Sequence, residues 1–454
     1  MPEGAIIDHS HPTSKGLPLQ NFPPEVLGEI FLWCLSERCR PTATQAPLLL
    51  CHISSVCRQV ALNIPHLWNN LHISRKDFSV FRSPHRESLS SVVLQWFSRA
   101  GFSVPLSLRI DYIDEAGVQN VLVSYAHRIQ SLSLKGGVPG SKLRNQLKPF
   151  LEMPPGRVDQ LESLGIALRG IPRAPVTAFE LSPRLRKVLL LCNADPPGMI
   201  RLPWPQLTHL TVIECISPPV WVSLMKQCTK LQKGVFNVDR MRDAGISSFM
   251  PEDTVTFHDL YDLSILLVGG RASYFDGFYF PSLTSLRLRN HASDFIWDNP
   301  EHLLRQLCGL RRLSLIGNAA LEQDLLELLQ RTTLLVKLEI DDLMDYSLLF
   351  HFLDHRPGRD IFLPNLVEIS LYMQEVEVNA FSADKFAKMV NSRRAVSPLL
   401  SHITLYFTER YGAEIGSVKG VFDHYPEAPI RMVVVDSTDT PQMGHKFGYL
   451  DLMK

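Results

Sequence analysis

The chain carries no excess charge of either sign, since Lys plus Arg and Asp plus Glu each number 46 in 454 residues. Broad binding to a phosphate backbone needs a basic surface, so a nucleic-acid partner is not expected. No apolar run approaches the roughly 18 residues that open a membrane span. The first residues, MPEGAIIDHSHPTSK, lack the apolar region of a signal peptide. No N-x-[ST] glycosylation acceptor occurs. These absences imply an intracellular protein, cytoplasmic or nuclear. The eight cysteines form no CxxC pair. Cys34, Cys39, Cys51 and Cys57 crowd together at separations of 5, 12 and 6 residues, which fit no zinc module. Reduced thiols are the expectation, with Cys34 on an apolar helix face acting as a small hydrophobe.

Catalytic spacing is missing as well. The sequence has no GxxxxGK phosphate loop, no GxGxxG, no GxSxG and no HExxH. His351 and His355 would share one helix face, but no glutamate follows His351 and no third ligand is evident. His9 and His11 fall in a terminus expected to be disordered. No catalytic, cofactor or metal residue is assigned, and the chain is not expected to be an enzyme.

What is present is a repeat. The strict pattern P-x-L-x-x-[LIV]-x-[LV] occurs at Pro183-Leu185-Val188-Leu190, Pro205-Leu207-Leu210-Val212, Pro281-Leu283-Leu286-Leu288, Pro364-Leu366-Ile369-Leu371 and Pro398-Leu400-Ile403-Leu405. Composition alone would supply roughly half a copy. Looser copies lead from Leu161, Leu231, Leu260, Leu310, Leu335 and Ile430. Successive leads from Leu161 to Ile430 are 24, 22, 24, 29, 23, 27, 25, 31, 34 and 30 residues apart. The early intervals are those of a leucine-rich repeat. Ile129-Leu132-Leu134 and Leu106-Leu108-Ile110 extend the series toward the N-terminus.

In each copy the proline ends the preceding segment, the next leucine packs beneath the strand, and the last two apolar residues point inward at period two. Helical stretches at 301–307, 321–329, 347–353 and 381–390 alternate with the strands. Strands alternating with helices predict an α/β solenoid with a parallel sheet and outer helices, because one repeat cannot bury its own apolar face. Leucine-rich repeats often place Asn or Cys after the strand to bond turn backbone, and the resemblance assigns that role to Asn193, Asn318, Cys192 and Cys215.

A different pattern occupies Phe22 to Leu71, which opens FPPEVLGEIFLWCL and closes VALNIPHLWNNL. Pro23 and Pro24 sit where first-turn amides have no intrahelical partner, and Glu25 suits the positive end of the helix dipole. Leu27, Ile30, Phe31, Cys34 and Leu35 recur at helical spacing and predict one apolar stripe. Such a helix is marginal alone, so the stripe must meet something. This stretch resembles an F-box, the helical module that docks a substrate receptor on the Skp-type adaptor of a cullin–RING ubiquitin ligase. It looks most like the F-box-like proteins numerous in mushroom-forming fungi.

Phe22 to Leu27 match the family's opening, and Ile30, Phe31 and Leu35 its next turns. Pro47 to Leu50 and Ile53 match the start of the second helix, and Ala61, Leu62, Pro65, Leu67 and Trp68 the closing A-L-x-x-P-x-L-W. Between Val56 and Ala61 the chain lacks the family's tryptophan and about three residues, nearly one helical turn. The implied organisation is a disordered N-terminus at 1–16, an F-box-like domain at 17–73, a linker or first solenoid helix at 74–102, the leucine-rich-repeat-like domain at 103–436 and a tail at 437–454.

The resemblance implies adaptor contacts at Pro24, Leu27, Ile30, Phe31, Leu35 and Leu49. The strand positions facing away from the core read Leu189 and Leu191, Thr211 and Ile213, Arg287 and Arg289, Arg312, Lys337 and Glu339, Glu368 and Tyr372, then His402 and Tyr406. Arg and Tyr most often anchor interfaces, and a basic cluster can grip an acidic peptide. Arg287, Arg289, Arg312, Tyr372 and Tyr406 are therefore the substrate-binding candidates. The expected function is a non-catalytic substrate receptor that joins the adaptor and ligase to an unidentified protein. The rival readings are a scaffold whose shortened F-box recruits no ligase, and, disfavoured by the missing motifs, a hydrolase or metal enzyme.

Overall fold

The computed structural model of the chain describes residues 22–74, 88–111, 116–136, 147–168, 174–192, 196–239, 254–269, 272–291, 301–317, 322–341, 346–358, 360–373, 382–396, 399–408 and 430–435. The segments 1–16 and 437–454, together with Asn193 and Asn318, lie outside the described residues. The chain divides into two units, residues 1–133 with 142–149, and residues 134–141 with 150–454.

In the first unit a helix runs from Pro24 to Trp33 with Glu25 in its first turn, burying Leu27, Gly28 and Phe31. A Cβ at position 28 would come within 3.0 Å of Ile64 Cδ1, so the glycine lets the helix lie close to that side chain. The second helix departs from the sequence expectation. It begins only at Leu50 and stops at Ile53. Ser54 is extended, at φ −157° and ψ 169°, and its hydroxyl accepts from the Cys57 N–H at 3.1 Å, starting a new helix at Ser55–Leu62. A serine cap of this kind satisfies a first-turn amide, which is why it starts a helix here and ends the preceding one. Cys34 is exposed, so the apolar role expected for it is not realised.

A tight turn at Pro65–Trp68 follows. The Trp68 indole N–H donates to the Ala61 carbonyl at 2.9 Å. Its ring meets Trp96 edge-on, centroids 5.0 Å apart, and the Arg99 guanidinium carbon lies 4.5 Å from its centroid. Both tryptophans are fully buried. Residues 22–74 therefore share their core with the helix Leu89–Arg99. Strand β1 (Asn70–Ile73) then pairs in parallel with β2 (Leu106–Ile110), Leu71 opposite Leu108. Strand β3 spans Ile129–Lys135, and the division between units falls within it.

The second unit contains β4 (Ser163–Leu168), β5 (Lys187–Cys192), β6 (His209–Ile216), β7 (Lys233–Asp239), β8 (Val255–Thr256), β9 (Asp262–Val268), β10 (Phe278–Tyr279), β11 (Ser285–His291), β12 (Arg312–Ile316), β13 (Lys337–Asp341), β14 (Glu368–Met373), β15 (His402–Thr408) and β16 (Ile430–Val435). From β4 to β16 each strand pairs in parallel with the next, in chain order, with β8 and β10 forming a separate pair. Helices lie between strands, among them Pro218–Gln227, Glu301–Gln306, Glu322–Arg331, Ser347–Leu353 and Ala383–Val396. The unit is an α/β repeat with an open parallel sheet, the architecture expected of a leucine-rich-repeat solenoid.

The inward residues pair as the pattern requires. Val188 and Leu190, Leu210 and Val212, Leu286 and Leu288, Leu313 and Leu315, Leu338 and Ile340, Ile369 and Leu371, and Ile403 and Leu405 are all buried. So are the lead leucines from Leu161 to Leu400. Cys215 lies inside β6 rather than after it. Cys192 ends β5, with its thiol 4.0 Å from the Ile166 carbonyl. Among the described residues no helix is long and apolar enough to cross a membrane.

Two consequences are measurable. Leu338→Ala removes a fully buried side chain and should cost about 2–5 kcal/mol in a denaturant titration. The exposed Arg312→Ala should stay within about 0.5 kcal/mol of the parent.

The second concerns Asp111 of the first unit. Burial pushes its carboxyl up, but the His72 hydrogen bond (Nε2 to Oδ2, 2.8 Å) and the Arg109 guanidinium outweigh it and hold the carboxyl at about 2, below the ordinary 3.8. A depressed carboxylate contributes stability that is full above the unfolded value and is lost as pH falls through the folded one. Asp111→Asn should therefore lower stability at neutral pH by on the order of 2 kcal/mol, seen as a lower thermal midpoint. The gap to the parent should narrow as pH drops from about 4 toward 2. A gap that does not change with pH would remove the carboxylate from this role.

Candidate interaction surfaces

Two surfaces emerge, one in each unit. In the first, the buried face of the Pro24–Trp33 helix leaves a second apolar stripe outside. Leu27 and Phe31 point into the core at 0% and 2% exposure, whereas Val26, Ile30 and Trp33 are exposed, Trp33 at 88%. Steps of four and three residues place Val26, Ile30 and Trp33 on one helix face. The helix Ser55–Leu62, packed against it, exposes Val56 and Leu62, and the short helix before Ser54 exposes Leu49 and Ile53. Seven of the fifteen exposed large apolar side chains among the described residues thus fall between positions 26 and 62. Scattered apolar exposure is ordinary on any surface, but concentration of this kind marks a contact site.

This distribution alters the contact set expected from sequence. Pro24, Ile30 and Leu49 are exposed and Leu35 is half-buried, so these four are accessible. Leu27 and Phe31 are buried in the core of the unit. The sequence reading merged two stripes into one because Leu27–Phe31 and Val26–Ile30 each step by four. Trp33, Val26, Ile53, Val56 and Leu62 were not among the candidates. The step Val26-Ile30-Trp33 was the available signal for the second stripe.

In the second unit the outward sheet positions form rows defined by strand register. One row reads Asp262, Ser285, Arg312, Lys337, Glu368, His402 from β9 to β15, and the next reads Ser264, Arg287, Ser314, Glu339, Ser370, Thr404. In that second row long charged side chains alternate with serines, and Ser264, Ser314 and Ser370 are buried between their neighbours. The small residues leave room for Arg287 and Glu339 to rise from the sheet. Arg289 follows Arg287 along β11, and Arg312 is one strand away, so the structure brings the three arginines together. Neither Arg287 nor Arg312 forms an ion pair among the described residues.

From β13 onward, two strands from β11, the charge reverses. Lys337 lies 2.8 Å from Glu368 and 3.0 Å from Glu339. Burial works against its ammonium, but those two carboxylates outweigh it and raise its pKa above the ordinary value. Asp341 stands in register with Tyr372, and Tyr372 with Tyr406. The two rings stack in parallel, centroids 4.2 Å apart and planes within 1°. In-register tyrosines on strands about 4.8 Å apart have little choice but to stack. Burial and then the nearby Glu339 push the Tyr372 hydroxyl well above the usual phenol range. Tyr372 and Tyr406 are half-buried, so the stack retains accessible surface.

Elsewhere the chemistry is sparse. His209, between Lys187 and Lys233 in register, is pushed down to about 4 by burial and then by those two ammonium groups. Its proton is off at neutral pH. The helix carrying His351 ends at Leu353, so His355 lies beyond it, and the His351 ring meets the Arg356 guanidinium at 3.0 Å. Among the described residues no group of three or more His, Cys, Asp or Glu side chains comes together to hold a metal.

No protein-family model matches the chain, and no curated protein matches it either.

The split between the two stripes can be read from stability. Phe31→Ala should destabilise the first unit by about 3–5 kcal/mol. Trp33→Ser, on the exposed side of the same helix, should shift the denaturation midpoint by the equivalent of no more than about 0.5 kcal/mol. Equal costs at the two positions would show that Trp33 is covered within the chain.

Proposed function

We propose that the chain is the substrate receptor of a cullin–RING ubiquitin ligase, with its first unit holding a Skp-type adaptor and the sheet face of its second unit selecting a protein substrate. The observation that carries this reading is the concentration of exposed apolar side chains between positions 26 and 62, in the stretch whose sequence resembles an F-box. A face with Trp33 almost wholly in solvent is costly unless a partner covers it. The chain itself catalyses nothing in this reading, and the ligase chemistry belongs to other subunits.

The experiment is capture of a purified Skp-type adaptor by the full-length chain. Val26→Asp, Ile30→Asp and Trp33→Asp together should weaken capture by at least about thirtyfold, the effect of losing roughly 2 kcal/mol of anchor contact, while circular dichroism stays unchanged. Leu27→Asp is a poor probe because it unfolds the helix from within. Removing residues 1–73 is no cleaner, since Trp96 would lose the cover of Trp68. Capture that survives the triple substitution excludes this docking face.

A second reading is a scaffold that binds partners without a ligase. The helix break at Ser54 favours it, because the segment that matches the family's second helix is in two short pieces here. Absence of adaptor capture by the parent chain, with substrate capture intact, would select the scaffold.

A further inference from the structure

We propose that the outward sheet face from β11 to β15 binds an extended protein segment with segregated charge, an acidic stretch lying over Arg287, Arg289 and Arg312 and an arginine or lysine lying over the Tyr372–Tyr406 stack. The proposal rests on the reading of the second unit as the substrate-binding part of the chain, and specifies what that substrate must carry.

The two halves of the face ask for opposite charges. Arg287 has Ser264 and Ser314 as its register neighbours, so no carboxylate stands beside it in its row. Arg312 faces Ser285 on one side and Lys337 on the other. Arg287 and Arg312 thus stand on adjacent strands with no carboxylate as a register neighbour. Beyond them Lys337 is the one cation among Glu339, Asp341 and Glu368, and it is engaged by two of the three carboxylates. The next outward cation, Arg431 on β16, stands in the Thr404 row, three strands beyond Glu339, and bounds this acidic patch.

The tyrosine stack sits at the edge of that acidic patch, with Asp341 its register neighbour on β13. A guanidinium or ammonium can lie against a tyrosine face and be drawn to nearby carboxylates at the same time, which a neutral aromatic ligand cannot do. Burial raises the Tyr372 hydroxyl most, and the nearby Glu339 and Asp341 add to the rise.

Spacing follows from the sheet. From β11 to β14 is three strand steps of about 4.8 Å, or about 14 Å. An extended chain advances about 3.3 Å per residue, so about four residues separate the acidic stretch from the basic residue. The segment runs across the strands rather than along them.

The test uses fluorescein-labelled synthetic peptides and the full-length chain, read by fluorescence anisotropy. One peptide carries a glutamate triplet, about four Gly/Ser residues and an arginine pair. Its control has the same residues with the charges interleaved, so non-specific attraction is matched. The segregated peptide should bind about tenfold tighter. The preference should vanish with Arg287→Glu, Arg289→Glu and Arg312→Glu combined, and fall with Tyr406→Leu. Replacing the peptide arginines by glutamine should lower affinity comparably, and this arm needs no variant to fold. Equal affinity of the two peptides, or binding of neither, overturns the proposal. Adaptor capture by the same preparation separates the outcomes, because peptide failure with capture intact sinks this inference alone, and capture failure with peptide binding intact sinks the ligase reading alone.

Discussion

Register is the constraint on which the second unit depends. Val188, Leu210, Gly234, Leu263, Leu286, Leu313, Leu338, Ile369 and Ile403 stand opposite one another across successive strands. A slip of one residue would turn each strand's inward set to solvent, at about 1.5–3 kcal/mol for every large apolar side chain exposed. The exception proves instructive. Gly234 occupies the row where its neighbours carry leucine, and a Cβ there would lie 2.7 Å from Phe236 Cε2. The space is filled by the aromatic ring two residues on, which also meets Trp221 edge-on at 6.5 Å. The row is conserved in volume where it is not conserved in residue type.

With the inward positions committed to packing, the outward positions are free to carry chemistry, and the same register that aligns the leucines aligns them. That is how Arg287, Glu339 and their intervening serines come to form a single row, and how two tyrosines 34 residues apart in sequence come to stack at 4.2 Å. The first unit solves its packing differently. Its helices close around Leu27, Phe31, Leu67, Trp68 and Trp96, leaving apolar surface that the unit itself does not cover. One unit therefore presents an apolar contact face and the other a charged one. Apolar faces suit a constant partner, and patterned charge suits selection among many.

The parallel sheet and its inward residues were legible because period-two alternation after a proline-leucine lead is physical punctuation that few other structures produce. The helix Ser347–Leu353 was readable to the residue, and Ala383–Val396 extends six residues past its expected end, since nothing between Asn391 and Val396 marks a stop. The first unit was less legible. Two apolar stripes on one ten-residue helix cannot be separated by spacing when both step by four, and the elements packed against it, Ser55–Leu62 and Pro65–Trp68, decide which face is buried. The break at Ser54 was also hidden, because serine is tolerated within helices and becomes a cap only when its backbone extends. On the sheet face the arginines and tyrosines were visible individually. The Lys337–Glu368 ion pair that divides basic from acidic ground depends on register and was not.

The absence of any matching family model sits beside an architecture of plainly repeating type, and the physics accounts for both. Each repeat needs about three apolar side chains at set offsets and a segment that returns the chain to the next strand. Leucine, isoleucine, valine and phenylalanine all serve, and the leads here are separated by anything from 22 to 34 residues. Such a fold tolerates wide divergence in residue identity and length provided the inward volume is filled. Lys337, Glu339 and Glu368 are half-buried outward residues that fill no inward position, so the demand for inward volume does not fix their arrangement. Pairing of Lys337 with Glu339 on its own strand and Glu368 on the next would stabilise a solvent-facing sheet surface only slightly. A charge pattern that contributes little to stability, laid out in register over five strands, is the surface that the proposed charge-segregated segment would meet.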